Sequence, residues 1–226
     1  MVRRENNRSG KRDQIIDAAR KLMRARKTSG FSMRTLAEVA EVSIATPYNL
    51  FGSKEAIVAA VMDADLEDFQ QALLAEGLDP LATLFRVVSL SAEIFGQEPG
   101  FYQAGASALH AETDNRLVEH FGLPRRNLLT ELLTRAVQEG FLVHQVNPES
   151  LAFTLGQLFY GCIQDWARDR LSLQDMVDRT QYGFALVLAA VATEKHRKAL
   201  LERAMNLQNA LPESWQTKLT LAQAGH

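Results

Sequence analysis

The sequence predicts an all-α protein, and three observations support that prediction. Apolar residues recur every three or four positions along most of the 226 residues, which is the spacing of one helical face. The alternation of apolar and polar residues that is typical of strands does not occur, and the sequence has no internal repeat. Helix-start signals, in which a capping side chain precedes a first-turn proline, occur at residues 79–80 and 147–148.

Charge is unevenly distributed along the chain. The formal net charge is −2, and 46% of the residues are hydrophobic, which is ample for a buried core. Residues 1–56 contain 12 Lys and Arg against 6 Asp and Glu, whereas residues 57–226 contain 13 against 21. A basic end on an acidic body is expected where that end contacts phosphate. We therefore predict an N-terminal domain over residues 1–56 and a larger domain over residues 57–226.

The cysteine content and the apolar runs bear on the compartment. Cys162 is the only cysteine, which excludes an intramolecular disulfide and fits a reducing cytosol. It lies among apolar neighbours, so a packed residue is favoured over a reactive thiol. The longest run without a strongly polar residue, 183–192, is shorter than the roughly 20 residues that span a bilayer. The polar N-terminus does not resemble a signal peptide. These features predict a cytoplasmic protein without a membrane partner.

The first 30 residues predict a basic arm followed by one helix. Residues 1–12 are polar and basic without apolar periodicity, which indicates a mobile arm that touches phosphate or the minor groove. A helix follows over residues 13–27, and Gly30 is a candidate for its C-cap. One face of this helix carries Ile15, Ala19, Leu22 and Met23.

Residues 32–54 predict two short helices joined by a tight turn. Ser32 is an N-cap candidate for the first helix and Ser43 for the second, with the turn at Glu41 and Val42 between them. The first helix has an apolar face of Leu36, Ala37, Val39 and Ala40. The second has an apolar side of Pro47, Leu50 and Phe51 and a neutral polar side of Ala45, Thr46, Tyr48 and Asn49.

The polar side of the second helix favours a helix-turn-helix, whose second helix enters the major groove of DNA. Apolar spacing alone would fit an ordinary helical hairpin equally well. Small, hydroxyl and amide groups suit a DNA groove, and basic segments lie on both sides. The face has no Arg or Lys, so we expect readout by Asn49, hydroxyls and methyl contacts rather than by arginine on guanine.

The same stretch closely resembles the DNA-binding domain of TetR (tetracycline repressor-like) transcription regulators. The residues that carry the resemblance are Ala37-Glu-Val-Ala40, Val42-Ser43, Tyr48, Phe51 and Ser53-Lys54-Glu55. It covers about residues 11 to 60, and beyond them only length and helical layout agree with the family. Two residues depart from its pattern. Glu41 stands where the family usually has a turn glycine, which predicts a strained turn or another turn type. Pro47 lies in the first turn of the recognition helix, where the loss of a backbone N–H costs least because that group has no partner within the helix.

The remaining chain predicts further helices. Ser53 caps a helix over residues 54–74, which bridges the two domains. Later helices are predicted over residues 80–95, 101–110, 116–121, 124–139, 148–166 and 173–206, with residues 111–115 loose. Gly140 ends one of them, and a capping box at residues 172–175 opens the last. Residues 211–226 are weakly patterned.

Signals of enzyme chemistry are absent from the sequence. There is no Gly-rich phosphate loop, no His-Glu-x-x-His and no Gly-x-Ser-x-Gly. No two histidines are three or four positions apart in the sequence, so a metal site is not expected. The sequence therefore predicts no enzyme, no metal and no cofactor.

The resemblance implies a homodimeric regulator that binds double-stranded DNA at a roughly palindromic operator. Two recognition helices would enter adjacent major grooves about one helical turn apart. The residues expected to reach base edges are Ser43, Ile44, Ala45, Thr46 and Asn49. Those expected to contact phosphate are Ser32, Arg34, Thr35, Tyr48 and Lys54. The implied role is a repressor that a small apolar or amphipathic effector releases from the operator, with activator action as the alternative.

The resemblance also implies an effector site inside the larger domain, made by the helices that follow residue 74. The candidate residues are Phe85, Phe95, Phe101, Tyr102, Gln103, Ser107, His110, Phe121, Tyr160 and Trp166, with Gln164 and Asp165 as further polar groups nearby. An apolar site with a few polar anchors is typical of ligand binding. For any one of the aromatic residues, a plain core position is equally consistent with the sequence.

The homodimer is expected through a four-helix contact made by the last two large helices of each chain. Small residues there permit close helix approach: Gly156, Gly161, Gly183, Ala185, Ala189, Ala190 and Ala192. Tight packing within one chain is the alternative explanation for them. A rival hypothesis for the whole protein is an all-helical enzyme or small-molecule carrier whose hairpin does not bind DNA.

Overall fold

The computed structural model describes residues 2–26, 31–64, 66–111 and 115–211, with the side chains of residues 10–25, 31–64, 66, 69–108 and 125–211. The secondary structure of these residues is helical, apart from an isolated antiparallel bridge between Leu142 and Ala192. The all-α prediction is confirmed. Gly30 and residues 212–226 lie outside the described part of the chain, so the C-cap and the weakly patterned end stay predictions.

The helices follow one another with short connections. They are α1 (Val2–Arg26), α2 (Met33–Val39), α3 (Ala45–Phe51), α4 (Lys54–Ala64), α5 (Leu66–Ala75), α6 (Pro80–Gln97), α7 (Pro99–Ala111), α8 (Asn115–Gln138), α9 (Pro148–Ala167), α10 (Leu173–Val191) and α11 (Glu194–Ala210). Predicted caps begin several of them. Asp79 Oδ1 accepts from the Ala82 N–H at 2.9 Å, and Ser172 and Asp175 form the predicted capping box.

The prediction of a mobile arm over residues 1–12 is wrong, because α1 begins at Val2. This segment has no apolar stripe, but it also has no proline, and Gly10 is its poorest helix former. An interior glycine costs about 1 kcal/mol relative to alanine, which a helix of 25 residues can absorb. The basic segment therefore extends the helix that enters the N-terminal core.

Two other predicted boundaries are wrong. α8 runs from Asn115 through Pro124 as one helix, where the sequence predicted a separate helix starting at the proline. A proline inside a helix removes one backbone donor but does not always end the helix. The predicted helix over residues 173–206 is divided, because Ala192 has extended backbone and α11 starts at Glu194.

Two hydrophobic cores build the molecule, and a smaller cluster adjoins the second. The N-terminal core contains the buried Ile15, Met23, Leu36 and Ile57 and also receives Phe101 from α7. The larger core lies between α6, α8, α9, α10 and α11. Because α4 carries both N-terminal core residues and contacts to α7 and α8, it is the element that joins the two halves. The domain division at residues 56 and 57 stays a prediction.

Close approach of α9 and α10 occurs within the chain. A Cβ at Gly183 would lie 2.8 Å from Leu158 Cδ2, so glycine here lets Leu158 of α9 pack directly on α10 within one chain. Gly156 lies near Leu129, and nothing lies within 4 Å of a Cβ built at Gly161. Among the predicted small residues, Gly183 thus has an explanation in the packing of the single chain.

Candidate functional site

Ser32 begins α2 as predicted. Its Oγ accepts from the Thr35 N–H at 3.0 Å and lies 2.8 Å from the Thr35 Oγ1. Leu36, Ala37 and Ala40 are buried, but Val39 is 45% exposed, so its predicted place on the apolar face is wrong. The buried stripe is narrow because α2 has only seven residues and packs mainly on α1.

The turn after α2 is strained at the residue that departs from the family pattern. Glu41 has φ of 50°, which is the left-handed region that favours glycine. The Glu41 N–H donates to the Glu38 carbonyl at 3.2 Å, and the Val42 N–H donates to the Ala37 carbonyl at 3.0 Å. This pair of bonds is the Schellman motif, which normally has glycine at its left-handed position. The strain predicted from the sequence is confirmed.

The start of α3 differs from the prediction that Ser43 is its cap. Ile44 occupies the N-cap position and makes no side-chain cap bond. Ser43 instead places its Oγ 2.8 Å from the Thr46 Oγ1, and its carbonyl accepts from the Thr46 N–H at 2.9 Å. Both contacts hold Thr46 beside Ser43 at the first turn of α3.

The two sides of α3 divide as the sequence predicted. Pro47 is buried, and Leu50 and Phe51 pack against the N-terminal core. Ile44 and Tyr48 are 53% and 51% exposed, and the side chains of Ala45 and Asn49 are also exposed. A helix that leaves large apolar and amide groups in solvent has a surface suited to a partner.

The inner side of α3 and the start of α4 are held by cation–π contacts and a cap. The Arg12 guanidinium lies 4.4 Å from the centre of the Phe51 ring, and the Lys54 Nζ lies 5.5 Å from that of Phe31. Ser53 caps α4 as predicted, because its Oγ accepts from the Ala56 N–H at 3.1 Å. The Arg12–Phe51 contact orients α3 relative to α1, and the other two contacts fix the start of α4.

Arg34 is another residue that the sequence predicts to contact phosphate. Its side chain forms an ion pair with Glu38, with the Arg34 Nε 3.3 Å from the Glu38 Oε1. Both side chains are highly exposed, and such surface pairs contribute little to stability. Arg34 can therefore exchange this partner for a phosphate. Ser32 and Tyr48 are exposed beside it, while Thr35 and Lys54 are half-buried.

The predicted effector residues fall into separate groups. Phe95 and Trp166 are stacked with ring centres 5.2 Å apart, and Tyr102 lies 4.9 Å from Phe95, so α6, α7 and α9 share one aromatic cluster. Gln103 joins it, because its Nε2 donates to the Trp166 carbonyl at 3.3 Å. Phe101 lies in the N-terminal core, and its ring centre is 5.0 Å from that of Tyr102, so it adjoins the cluster. Phe85 and Tyr160 lie elsewhere, under Arg203 and on the outer face of α9. Ser107 is exposed, and the side chains of His110 and Phe121 are outside the described part.

One buried amide lies at the contact of α7 and α9. Gln164 is 5% exposed, and its Nε2 donates to the Ala106 carbonyl at 3.2 Å. Its Oε1 is buried without a hydrogen-bond partner among the residues that the structure describes. An unpaired buried acceptor costs about 1–3 kcal/mol. The sequence marked Gln164 only as a nearby polar group, because its isolation depends on how α7 docks.

The described residues offer no other chemistry. Within them, no group of three or more His, Cys, Asp or Glu could hold a metal ion. Among the described helices, none has the length and apolar character to cross a membrane. Cys162 is half-buried, and burial raises the pKa of its thiol, as expected for a packed cysteine rather than a reactive one.

Comparison with known proteins agrees with this geometry. Residues 15–61 match the family model of bacterial regulatory proteins, tetR family. The HTH-type transcriptional regulator HbdR of Aromatoleum sp. (strain CIB) is 27% identical over 196 residues, which cover 84% of each chain. The HTH-type transcriptional repressor KstR2 of Rhodococcus jostii (strain RHA1) is 27% identical over 154 residues, covering 66% of this chain and 75% of the relative.

A solved structure shares the fold over most of its length. FadR of Thermus thermophilus, described as a TetR family transcriptional repressor in complex with lauroyl-CoA, has a TM-score of 0.68 at 24% identity. The alignment covers 81% of this chain and 96% of FadR. The helix-turn-helix segment therefore matches the tetR family model, and the chain is similar to transcriptional regulators of that family along most of its length.

Proposed function

We propose that this protein is a transcriptional repressor that leaves a palindromic operator when a small amphipathic effector binds its larger domain. The observation that carries the proposal is the exposed side of α3. Ile44, Tyr48 and Asn49 are exposed to solvent there. Pro47 and Phe51 hold the opposite side of the helix against the protein. This surface has the size and chemistry of a major-groove reader. The role requires a cytoplasmic location.

Contacts to DNA are assigned by exposure and chemistry. Asn49 can bond an adenine in bidentate fashion, and Ile44 and Ala45 can contact a thymine methyl group. Tyr48 and Arg34 are exposed, so their hydroxyl and guanidinium groups are available to phosphates. Because α3 carries no Lys or Arg, sequence recognition falls on neutral groups, and phosphate contacts supply most of the affinity.

A second copy of the chain supplies the second helix-turn-helix. Phe153 is 51% exposed on α9, and Tyr160 on α9 and Leu186 on α10 are exposed as well. Exposed large apolar residues on adjacent helices favour a partner surface, in agreement with the four-helix dimer that the family resemblance implies. Two heads related by a twofold axis bind a palindrome.

The effector would bind beside the aromatic cluster of Phe95, Tyr102 and Trp166. These rings lie between α6, α7 and α9, and α7 contacts α4, which carries part of the N-terminal core. FadR, which shares the fold, was solved with lauroyl-CoA, a molecule with a long apolar chain and a polar head. An apolar or amphipathic effector suits this cluster as well, because aromatic side chains bury the apolar surface of a ligand.

Selection of bound DNA from a random pool tests this function. The full chain is expected to enrich a palindrome with half-sites about one helical turn apart. Retention of the selected DNA should weaken steeply with salt, because phosphate contacts release counterions. If no sequence is enriched and no fragment is retained even at low salt, the all-helical carrier or enzyme becomes the better hypothesis.

A further inference from the structure

The α7–α9 contact depends on two long amide side chains. Gln103 of α7 donates to the Trp166 carbonyl at 3.3 Å and to the Asp169 Oδ1 at 3.1 Å. Gln164 of α9 donates in the opposite direction, to the Ala106 carbonyl of α7. Gln103 is half-buried at the edge, whereas Gln164 is almost fully buried. The inner amide is therefore the polar group that a molecule entering between the two helices would meet.

The orientation of the Gln164 amide follows from its partner. The Ala106 carbonyl is an acceptor, so the amide nitrogen must face it, and rotation of the amide would bring two acceptors together. The atom left without a partner in the described part of the chain is consequently an oxygen. A buried oxygen of this kind accepts a hydrogen bond but cannot donate one.

We propose that the effector enters between α7 and α9 and donates a hydrogen bond to the Gln164 Oε1. The inference rests on the proposed function, and it defines the chemical class of the effector: an apolar molecule that carries a hydroxyl or an amide N–H. Trp166 and its stacked partner Phe95 lie at the junction of α6, α7 and α9, where they offer aromatic surface to the apolar body. A carboxylate, which is ionised near neutral pH and only accepts, would repel the Oε1.

The same amide links the effector to the DNA-binding head. Ala106, which accepts from Gln164, is adjacent to Gly105, and Gly105 packs directly on Met62 of α4. Arg125 of α8 holds the end of α4 from the other side, donating to the Asp63 Oδ1 at 2.7 Å and to the Met62 carbonyl at 2.9 Å. A molecule that separates α7 from α9 pushes Gly105 against Met62 and so displaces α4.

Calorimetric titration with four probes tests the proposal on the full chain. The probes are 2-naphthol and 1-decanol, which donate a hydrogen bond, and 2-naphthoate and decanoate, which have similar apolar bodies but only accept near neutral pH. At least one alcohol is expected to bind, and at least about tenfold more tightly than the matching acid. Equal binding of alcohol and acid, or no binding of either alcohol, would overturn the proposal.

Matched variants locate the binding. Gln164→Met keeps an unbranched side chain of similar length and removes the Oε1 acceptor together with the Nε2 bond to the Ala106 carbonyl, so it should weaken binding of the alcohol by about tenfold or more. Gln138→Met makes the same change at an exposed position of α8 and should leave binding unaltered. Unchanged affinity in Gln164→Met would overturn the assignment.

Binding of the selected operator separates this inference from the proposed function. Gln164→Met is expected to bind the operator like the unaltered chain but to be released by the alcohol only at higher concentration. Operator binding without any dependence of release on Gln164 contradicts the inference alone. Loss of operator binding from the unaltered chain contradicts the proposed function.

Discussion

Met62 of α4 packs against Gly105 of α7 so closely that residue 105 has no room for a side chain. A Cβ at Gly105 would lie 2.9 Å from the Met62 Sδ, closer than Cβ atoms come to other heavy atoms in real structures. Met62 belongs to the N-terminal core, and α7 is bonded to α9 through Gln164. The contact therefore joins the region proposed for the effector to the head proposed for DNA.

Gly105→Ala should destabilise the protein by about 1–2 kcal/mol, because the buried Met62 thioether must repack to admit a methyl group. Chemical denaturation measures the free energy of unfolding. Gly10→Ala is the matched control: nothing lies within 4 Å of a Cβ built at this exposed position of α1, and alanine is the better helix former, so it should be neutral or slightly stabilising. Equal effects at both positions would contradict the close packing of α4 and α7.

Arg203 of α11 covers a buried polar group between α6 and α10. Its Nη2 donates to the Gln181 Oε1 at 2.9 Å, and its guanidinium carbon lies 3.9 Å from the centre of the Phe85 ring. The Gln181 Nε2 donates in turn to the Phe85 carbonyl at 3.3 Å and to the Ser89 Oγ at 2.9 Å. One residue thus attaches α11 to two helices of the larger core.

Arg203→Ala should lower the free energy of unfolding by about 1 kcal/mol or somewhat more, because the Gln181 Oε1 loses its donor and Phe85 loses its cation. Water can reach the site once the arginine is shortened, which limits the loss. Lys198→Ala removes a surface ion pair with Glu202 on the same helix and should cost no more than about 0.5 kcal/mol. A loss no greater than that of the control would show that Arg203 does not fasten α11.

Features with local causes were predictable from the sequence. Ser32 and Asp79 cap helices by accepting a hydrogen bond from the backbone N–H three residues later. Such a cap can be predicted because its pattern lies within four consecutive residues. The outward side of α3 was predictable too, because helical spacing alone separates Pro47 and Phe51 from Tyr48 and Asn49.

Features with distant causes were not predictable. The break before α11 is held by the α8–α9 connection, where the Thr193 Oγ1 donates to the Gly140 carbonyl at 2.9 Å and the Val143 N–H donates to the Val191 carbonyl at 3.0 Å. Neither bond can be predicted from the residues that are adjacent in the sequence. The isolation of the Gln164 Oε1 likewise appears only when α7 is docked on α9. Such contacts need the tertiary structure.

Glu41→Gly should stabilise the protein by about 0.5–1 kcal/mol. Glycine adopts the φ of 50° at this position without the clash that an L side chain suffers, although its greater freedom in the unfolded chain offsets part of the gain. Thermal unfolding measures the change. Glu38→Gly replaces the same residue type inside α2 and should destabilise instead. A decrease in stability for Glu41→Gly would mean that the glutamate side chain contributes more than its strain costs.

Asn49→Ala should reduce discrimination at one base position of the operator half-site by about 1–3 kcal/mol, because a bidentate amide contact to adenine would be lost. Competition binding with operators changed at single positions measures this loss. Arg34→Ala provides the contrast: a phosphate contact carries no sequence information, so its loss should weaken binding to all sequences alike and reduce the salt slope by about one. Discrimination that is unaltered in Asn49→Ala at every position would remove Asn49 from the set of base-reading residues and shift sequence recognition to Ile44, Ala45 and Thr46.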